Sequence, residues 1–221
     1  MTDVKFCGMT RDVDVREAVR LGATYIGAIL TESPRRVTPG AARALFDAIE
    51  VPSVHRVGVF GNEPLEVIID SANLANLDIV QLHGSRNSDE ESLARLHAEL
   101  GASIWRVLRV RSEGLAPEQR AVVPGTDGLL LDTMTKGALG GSGVTFRWDL
   151  VASDVRALRS STRIILAGGL RPENVGDAIN LLAPDVVDVS SGVESQPGIK
   201  DHSRMAAFMN AVRRPSAPSA S

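Results

Sequence analysis

The chain has 221 residues, and its 24 Lys and Arg against 27 Asp and Glu give a net charge of −3. Hydrophobic residues make up 43% of the chain, which excludes disorder along its whole length. The near-neutral charge leaves no electrostatic footprint for nucleic acid, and no apolar run approaches the roughly 20 residues that span a bilayer.

The cysteine and histidine content argues against a disulfide or a metal centre. Cys7 is the chain's one cysteine, so it forms no internal disulfide and no multi-cysteine metal site. The four histidines are scattered and form no short metal motif. The N-terminus also lacks the basic region and long apolar core of a signal peptide. These features predict a cytoplasmic protein without a metal.

Short apolar runs divide the chain at regular intervals. They lack simple alternation of apolar and polar residues, which is typical of parallel strands buried on both faces. In chain order, strands are predicted at 4–7, 25–30, 54–60, 78–82, 104–110, 128–131, 164–167 and 186–189.

The stretches between these runs have the length and apolar spacing of crossover helices, which parallel strands require. Proline near several of their starts matches the preference for the first helical turn. Helices are predicted at 12–21, 39–49, 63–74, 89–100, 117–123 (short and weakly marked), 146–158, 172–182 and 201–212.

Eight βα units at roughly 27 residues each predict an α/β chain folded as a single-domain (β/α)₈ (TIM) barrel over residues 1–212. An open doubly wound sheet is the competing architecture. The eight units and the lack of a dinucleotide fingerprint favour the closed barrel. Residues 213–221 are small, polar and proline-bearing, and we expect them to be a disordered tail.

A barrel of this kind places its active site at the C-terminal ends of the strands. Cys7 ends the first strand, either as an accessible thiolate or as a small buried hydrophobe. Asp132 ends the sixth strand, either as a general acid or base or as a loop cap. The glycine-rich segment 136–143 follows, either as a mobile loop over the site or as a flexible connection.

Two glycine-bearing segments follow strands seven and eight. Gly168 and Gly169 come after the seventh, and Ser191 and Gly192 after the eighth. Either segment alone is also consistent with a tight turn. Together, they lie where barrels often bind phosphate, because glycine lets backbone N–H groups approach the phosphate oxygens. They predict a phosphate site.

Several charged or polar residues lie near the other strand ends. Arg35 follows strand two and suits a bidentate carboxylate contact, although a solvated basic loop is the alternative. Gln81 and His83 share one face of strand four, and each either lines the site or packs structurally. Lys5 shares the face of Cys7, either as a buried ion-paired residue or as a Schiff-base lysine.

Taken together, the motifs resemble those of the phosphoribosylanthranilate isomerase family. The matching segments run in the family's order along the chain and are highly specific as a set. They are Lys5-Phe-Cys-Gly8, Ser33-Pro-Arg35, Arg56-Val-Gly-Val-Phe-Gly-Asn62, Val80-Gln-Leu-His-Gly84, Leu130-Leu-Asp132, Gly140-Gly-Ser-Gly143 with Phe146 and Trp148, Ala167-Gly-Gly-Leu170, and Asp188-Val-Ser-Ser-Gly-Val-Glu194 with Gly198 and Lys200-Asp201.

The resemblance implies a barrel isomerase of the third step in tryptophan synthesis from chorismate. Such an enzyme converts N-(5′-phosphoribosyl)anthranilate to 1-(2-carboxyphenylamino)-1-deoxyribulose 5-phosphate by an Amadori rearrangement, without a cofactor. It implies Cys7 as general base, Asp132 as general acid and Arg35 as the ligand of the anthranilate carboxylate. It also implies that Gly168, Gly169, Ser191 and Gly192 bind the phosphate. No nucleic acid or membrane partner is expected, and a monomer is preferred over a homodimer.

Three other functions compete with this one. An isomerase that also acts on the histidine-pathway substrate usually uses two aspartates, whereas the first strand here ends in cysteine. An indole-glycerol-phosphate synthase or aldolase needs a lysine at a strand end, and Lys5 lies too deep. A non-catalytic phosphate-binding barrel has no need of both Cys7 and Asp132.

Overall fold

The computed structural model describes residues 1–49, 51–110, 114–132 and 148–214. Eight strands form a closed barrel in which each pairs in parallel with the next and the eighth pairs with the first. The predicted closed barrel is therefore confirmed over the open sheet. The strands are β1 (Asp3–Phe6), β2 (Tyr25–Ile29), β3 (His55–Phe60), β4 (Ile79–Leu82), β5 (Ser103–Arg109), β6 (Gly128–Asp132), β7 (Arg163–Ala167) and β8 (Val186–Val189).

Seven α-helices lie in the described residues. The helix predicted at 12–21 is right at both ends, whereas the helix predicted at 172–182 begins three residues later than expected, beyond Pro172. They are α1 (Asp12–Leu21), α2 (Pro39–Phe46), α3 (Leu65–Ala75), α4 (Glu90–Leu100), α5 (Ala152–Leu158), α6 (Val175–Leu182) and α7 (His202–Arg213).

The helix expected after β5 is the main correction to the predicted elements. Within the described part of that connection there is only a 3₁₀ turn, Pro117–Arg120. Two β-branched residues, Val122 and Val123, and then Pro124 and Gly125 follow it, and this sequence opposes helix continuation. The fifth unit therefore crosses from β5 to β6 without an α-helix in its described residues.

Apolar side chains pack on both faces of the barrel wall. Alternate strand residues such as Phe6 and Ile26 face the helices in one large cluster. The residues between them point into the barrel, where Tyr25, Trp105 and Ile165 belong to a second cluster. This alternation fixes which strand-end residues reach the interior: Lys5 and Cys7 take the inward positions of β1 and its extension.

A short antiparallel hairpin follows β8 and was not predicted. It consists of β9 (Glu194–Gln196) and β10 (Ile199–Lys200), after a 3₁₀ turn at Ser191–Val193. Asp201 then caps α7 by accepting hydrogen bonds from the backbone N–H groups of Ser203 and Arg204. The hairpin thus lies between the last barrel strand and the closing helix.

Two predicted segments fall outside the described residues. These are the glycine-rich segment 136–143 and most of the expected tail, from 215 to 221. Helix α7 continues to Arg213, one residue past the predicted barrel boundary. None of the helices in the described residues has the length and apolarity needed to cross a membrane.

Candidate active site

The barrel brings the predicted catalytic residues to one rim. Cys7 follows β1 directly and is buried, while Asp132 is the last residue of β6. His83 follows β4, and its Nε2 atom lies 3.7 Å from Oδ2 of Asp132. The thiol and the carboxyl therefore lie at the C-terminal ends of strands one and six of the ring, where barrel chemistry takes place.

Space for the Cys7 side chain depends on a glycine in the neighbouring strand. A Cβ atom on Gly27 would lie 3.0 Å from Sγ of Cys7 and 3.1 Å from Cε of Lys5. Both contacts are tighter than ordinary packing, so the missing side chain lets Cys7 and Lys5 occupy the interior next to β2. The Cys7 thiol and the Lys5 side chain therefore both pack against the backbone of Gly27 in the barrel wall.

A polar layer lies inside the barrel below Cys7. Lys5 is fully buried, and its Nζ atom donates to Oδ2 of Asp188 at 2.9 Å and to Oε1 of Gln81 at 2.7 Å. Of the two alternatives for Lys5, the buried ion pair is confirmed. Gln81 is itself buried against this ammonium, and its predicted contact with substrate stays a prediction.

Charges of both signs surround the thiol. Burial raises the pKa of Cys7 above its ordinary value and Asp188 adds to the rise, whereas Lys5 and Lys200 oppose it. The Arg35 guanidinium also attracts the thiolate. For Lys5, burial lowers the pKa, but Asp188 and Cys7 raise it further, so that the ammonium stays charged. Lys5 is thus a fixed positive charge facing the predicted base.

Replacing Lys5 by methionine is expected to slow the alkylation of Cys7 by iodoacetamide about tenfold at pH 8, because a nearby cation favours the thiolate. The rate-against-pH curve shifts to higher pH. Cys7 is the only cysteine in the sequence, so the labelling rate reports on this thiol alone. Because Lys5→Met leaves the Asp188 carboxylate without its ion pair, a Lys5→Met/Asp188→Asn variant serves as the control. A rate-against-pH curve that is unshifted in both variants contradicts the role of Lys5 in stabilising the thiolate.

His83 lies beside Asp132 in a mixed electrostatic environment. Burial lowers the pKa of His83, Asp132 opposes that lowering, and Arg109 and Lys5 add to it. The net direction is downward, so the imidazole is neutral at pH 7. A neutral ring offers one donor and one acceptor nitrogen at the rim, which suits contact with a hydroxyl-bearing ligand.

The two predicted phosphate loops touch each other. Gly168 and Gly169 have φ values of 86° and 64°, a left-handed conformation that favours glycine. A Cβ atom on Gly192 would lie only 1.9 Å from the carbonyl oxygen of Leu170, so the second loop packs directly on the first. The structure therefore brings Gly168, Gly169, Ser191 and Gly192 to one place, as the sequence predicts.

Arg35 lies at the same rim but has a partner that the sequence analysis missed. Its guanidinium is paired with the buried carboxylate of Glu194 on β9, with Nη2 to Oε2 at 2.6 Å. Lys200 on β10 contacts the same carboxylate at 2.9 Å. Glu194 and Lys200 belong to the family segments given above, and this is the one signal in the sequence that points to them.

A cavity of 630 Å³ opens at the opposite end of the barrel, where the strands begin. Its lining includes Tyr25, His55, Trp105, Asp127 and Arg163. In barrels of this type that end contributes to stability, and the chemistry belongs to the other end. This cavity is therefore separate from the rim that carries Cys7 and Asp132.

No group of three metal-ligating side chains occurs among the described residues.

A family model described as N-(5′-phosphoribosyl)anthranilate (PRA) isomerase matches residues 4–211 of this chain. The chain belongs to the phosphoribosylanthranilate isomerase family. A relative of that name from Pseudomonas fluorescens (strain SBW25) is 42% identical over 214 residues, which cover 96% of each protein. The isomerase of Erythrobacter litoralis is 38% identical, covering 96% of this chain and 99% of the relative.

Solved structures of phosphoribosylanthranilate isomerases match the whole barrel. The enzyme from Thermus thermophilus superposes with a TM-score of 0.81 at 32% identity, covering 96% of this chain and 98% of the other. Another isomerase, solved in complex with reduced 1-(o-carboxyphenylamino)-1-deoxyribulose 5-phosphate, has a TM-score of 0.78 at 32% identity and covers 96% and 99%. The range matched by the family model, 4–211, contains the positions of Cys7, Asp132 and both glycine loops.

Proposed function

We propose that this protein converts N-(5′-phosphoribosyl)anthranilate to 1-(2-carboxyphenylamino)-1-deoxyribulose 5-phosphate, the isomerisation step of tryptophan synthesis. The observation that carries the proposal is the match to the isomerase family over residues 4–211. The site supports it, because a thiol and a carboxyl end two strands at the rim that also holds the paired glycine loops.

Asp132 acts first, as the general acid. The ribose ring opens only if its oxygen is protonated, because an alkoxide is a poor leaving group. Asp132 in its protonated form donates that proton, while the nitrogen lone pair of the anthranilate forms a double bond to C1 and the C1–O bond breaks. The product of this step is an open-chain iminium with a hydroxyl group where the ring oxygen was.

Cys7 acts second, as the general base. The iminium makes the proton on C2 acidic, and the Cys7 thiolate removes it. The electron pair of the C2–H bond forms the C1–C2 double bond, and the nitrogen regains its lone pair. The resulting enolamine takes a proton at C1 as the C2 hydroxyl loses its own, which yields the ketone. No atom is gained or lost overall, so the reaction needs no redox partner.

Two anion contacts orient the substrate between these groups. The glycine loops at Gly168–Gly169 and Ser191–Gly192 offer backbone N–H groups to the phosphate. Arg35 holds the anthranilate carboxylate through charge-assisted hydrogen bonds. His83 and Gln81 complete the proposed contacts, His83 at the rim and Gln81 beneath it. Fixing both ends of the substrate positions C1 and C2 for proton transfer.

A fluorescence assay tests the proposal. Freshly prepared phosphoribosylanthranilate is mixed with the purified protein, and its emission is followed against the spontaneous decay in buffer. The proposed function predicts a protein-dependent loss of fluorescence that scales with protein concentration, with a product of unchanged mass. Decay at the buffer rate at every protein concentration contradicts it.

The oligomeric state and cellular location stay predictions. A monomer agrees with the distribution of exposed large apolar side chains, which include Val13, Val67, Leu74 and Leu181 on three different helices. A relative from Thermotoga maritima is described as dimeric. Sedimentation of the purified protein distinguishes the two oligomeric states.

A further inference from the structure

The hairpin after β8 carries two buried charges that the proposed mechanism does not use. Glu194 begins β9 and Lys200 ends β10, and their side chains are 4% and 0% exposed. Buried charges are costly unless they are paired and hydrogen-bonded. Their contacts extend to two of the proposed functional residues, Arg35 and Cys7.

The Glu194 carboxylate holds one edge of the Arg35 guanidinium. Nε of Arg35 donates to Oε1 at 2.8 Å, and Nη2 donates to Oε2 at 2.6 Å. The Arg35 stem is fixed as well, since a Cβ atom on Gly8 would lie 2.7 Å from its Cδ. Within the described residues Nη1 makes no hydrogen bond, so the end formed by Nη1 and Nη2 stays available for a second carboxylate.

Lys200 links the same carboxylate to the loops of the rim. Its Nζ atom donates to Oε1 of Glu194 at 2.9 Å, to the carbonyl oxygen of Cys7 at 2.6 Å and to that of Ser190 at 3.2 Å. The ammonium therefore joins the residue after β1 and the residue after β8. Through Lys200, Glu194 is connected to the backbone of the proposed base.

The charges of this cluster sum to one positive charge facing the rim. Burial alone raises the pKa of Glu194, but hydrogen bonds from Arg35 and Lys200 lower it below its ordinary value. The carboxylate is thus ionised, and it neutralises one of the two cations. The remaining positive charge lies on a guanidinium whose orientation is already set, which reduces the ordering that a bound carboxylate must impose.

We propose that Glu194, supported by Lys200, is a positioning residue that presents the free end of the Arg35 guanidinium to the carboxylate of the substrate. The inference rests on the proposed function, because it takes the substrate carboxylate as the ligand of Arg35. It adds a specific cause for the selectivity of the contact between Arg35 and the substrate. The Glu194 carboxylate occupies the side edge of the guanidinium, formed by Nε and Nη2, and leaves only the end formed by Nη1 and Nη2 for the substrate carboxylate.

Glu194→Gln is expected to raise KM for phosphoribosylanthranilate at least about tenfold while kcat changes less than about threefold, because a misaligned guanidinium loses ground-state and transition-state binding alike. The Glu194→Asp variant keeps the charge that Lys200 needs but shortens the reach, and it is expected to raise KM in the same way. It serves where the glutamine variant fails to fold.

Asp14, which lies on α1 and contacts the same hairpin, provides a matched control. It is fully buried, is held by Arg11 through two hydrogen bonds of 2.8 and 2.7 Å, and accepts from the backbone N–H of Lys200. It has no contact with Arg35 among the described residues. Asp14→Asn is expected to lower stability with KM unchanged. An equal rise of KM in the two variants assigns Glu194 a merely structural role and overturns the inference.

A double-mutant cycle isolates the action through Arg35. In an Arg35→Ala background, Glu194→Gln is expected to raise KM no further, since the group that it positions is gone. Calorimetry on the Glu194→Gln variant uses reduced 1-(o-carboxyphenylamino)-1-deoxyribulose 5-phosphate and inorganic phosphate as ligands. Compared with the wild-type protein, the variant is expected to bind only the first ligand more weakly. Additive effects, or equal loss for both ligands, contradict the inference. Lack of turnover by the wild-type protein contradicts the proposed function instead.

Discussion

Asp132→Asn lowers kcat for phosphoribosylanthranilate by about 10²–10⁴, the usual contribution of a general acid. The amide keeps the size of the carboxyl group but has no proton to give to the ring oxygen, so ring opening becomes the slow step. Steady-state fluorescence decay measures the loss, and circular dichroism establishes that the variant is folded. We expect KM to change little, since Asp132 holds neither the phosphate nor the carboxylate.

Asp127 offers a control just before the same strand. It immediately precedes β6, where its Oδ2 accepts a hydrogen bond of 2.7 Å from the backbone N–H of Ile104, and it lines the cavity at the opposite end of the barrel. Asp127→Asn is expected to retain kcat within about threefold, because the chemistry of barrels lies at the other end. Near-normal turnover of Asp132→Asn, or a large loss with Asp127→Asn, removes Asp132 from the mechanism.

Cys7→Ser lowers kcat by a similar factor of about 10²–10⁴, because a serine hydroxyl does not ionise near neutral pH and cannot take the C2 proton as the thiolate does. Oxygen is smaller than sulfur, so the substitution adds no volume next to Gly27. The measurement is again turnover, with thermal unfolding as the check on the fold. A Cys7→Ser protein with at least a tenth of wild-type kcat excludes the thiolate as the base.

Alkylation of the wild-type protein gives an independent test of the same residue. Iodoacetamide is expected to abolish turnover in step with the modification of one thiol, and saturating phosphate-bearing ligand is expected to slow both. The sequence contains one cysteine, so modification elsewhere does not complicate the stoichiometry. Full activity after complete labelling contradicts the role of Cys7.

Local sequence patterns predicted the barrel well. Strands buried on both faces produce continuous apolar runs, and the short runs around Leu130 and Ile165 therefore indicate buried parallel strands. The positions of Cys7 and Asp132 follow from the same patterns, because each is the polar residue that ends an apolar run. The contact between the two glycine loops also follows, since the ends of adjacent parallel strands meet at one rim.

The parts that the sequence did not predict depend on long-range partners. Glu194 and Arg35 are 159 residues apart, and no periodicity reports a pair that forms only when the ends of β2 and β8 approach the same rim. The strands that carry Glu194 and Lys200 are three and two residues long, too short for a pattern of their own. In the described part of the connection after β5 the 3₁₀ turn does not continue as an α-helix, because Val122, Val123, Pro124 and Gly125 oppose it.

A crystal structure of this protein with reduced 1-(o-carboxyphenylamino)-1-deoxyribulose 5-phosphate shows whether Cys7 and Asp132 flank the reacting carbons of one bound ligand. We expect C1 and C2 of the ligand to lie between Sγ of Cys7 and the carboxyl of Asp132, with the phosphate against Gly169 and Gly192. Binding in the cavity beside Asp127, or a pose that leaves the thiol and the carboxyl in separate pockets, contradicts this expectation.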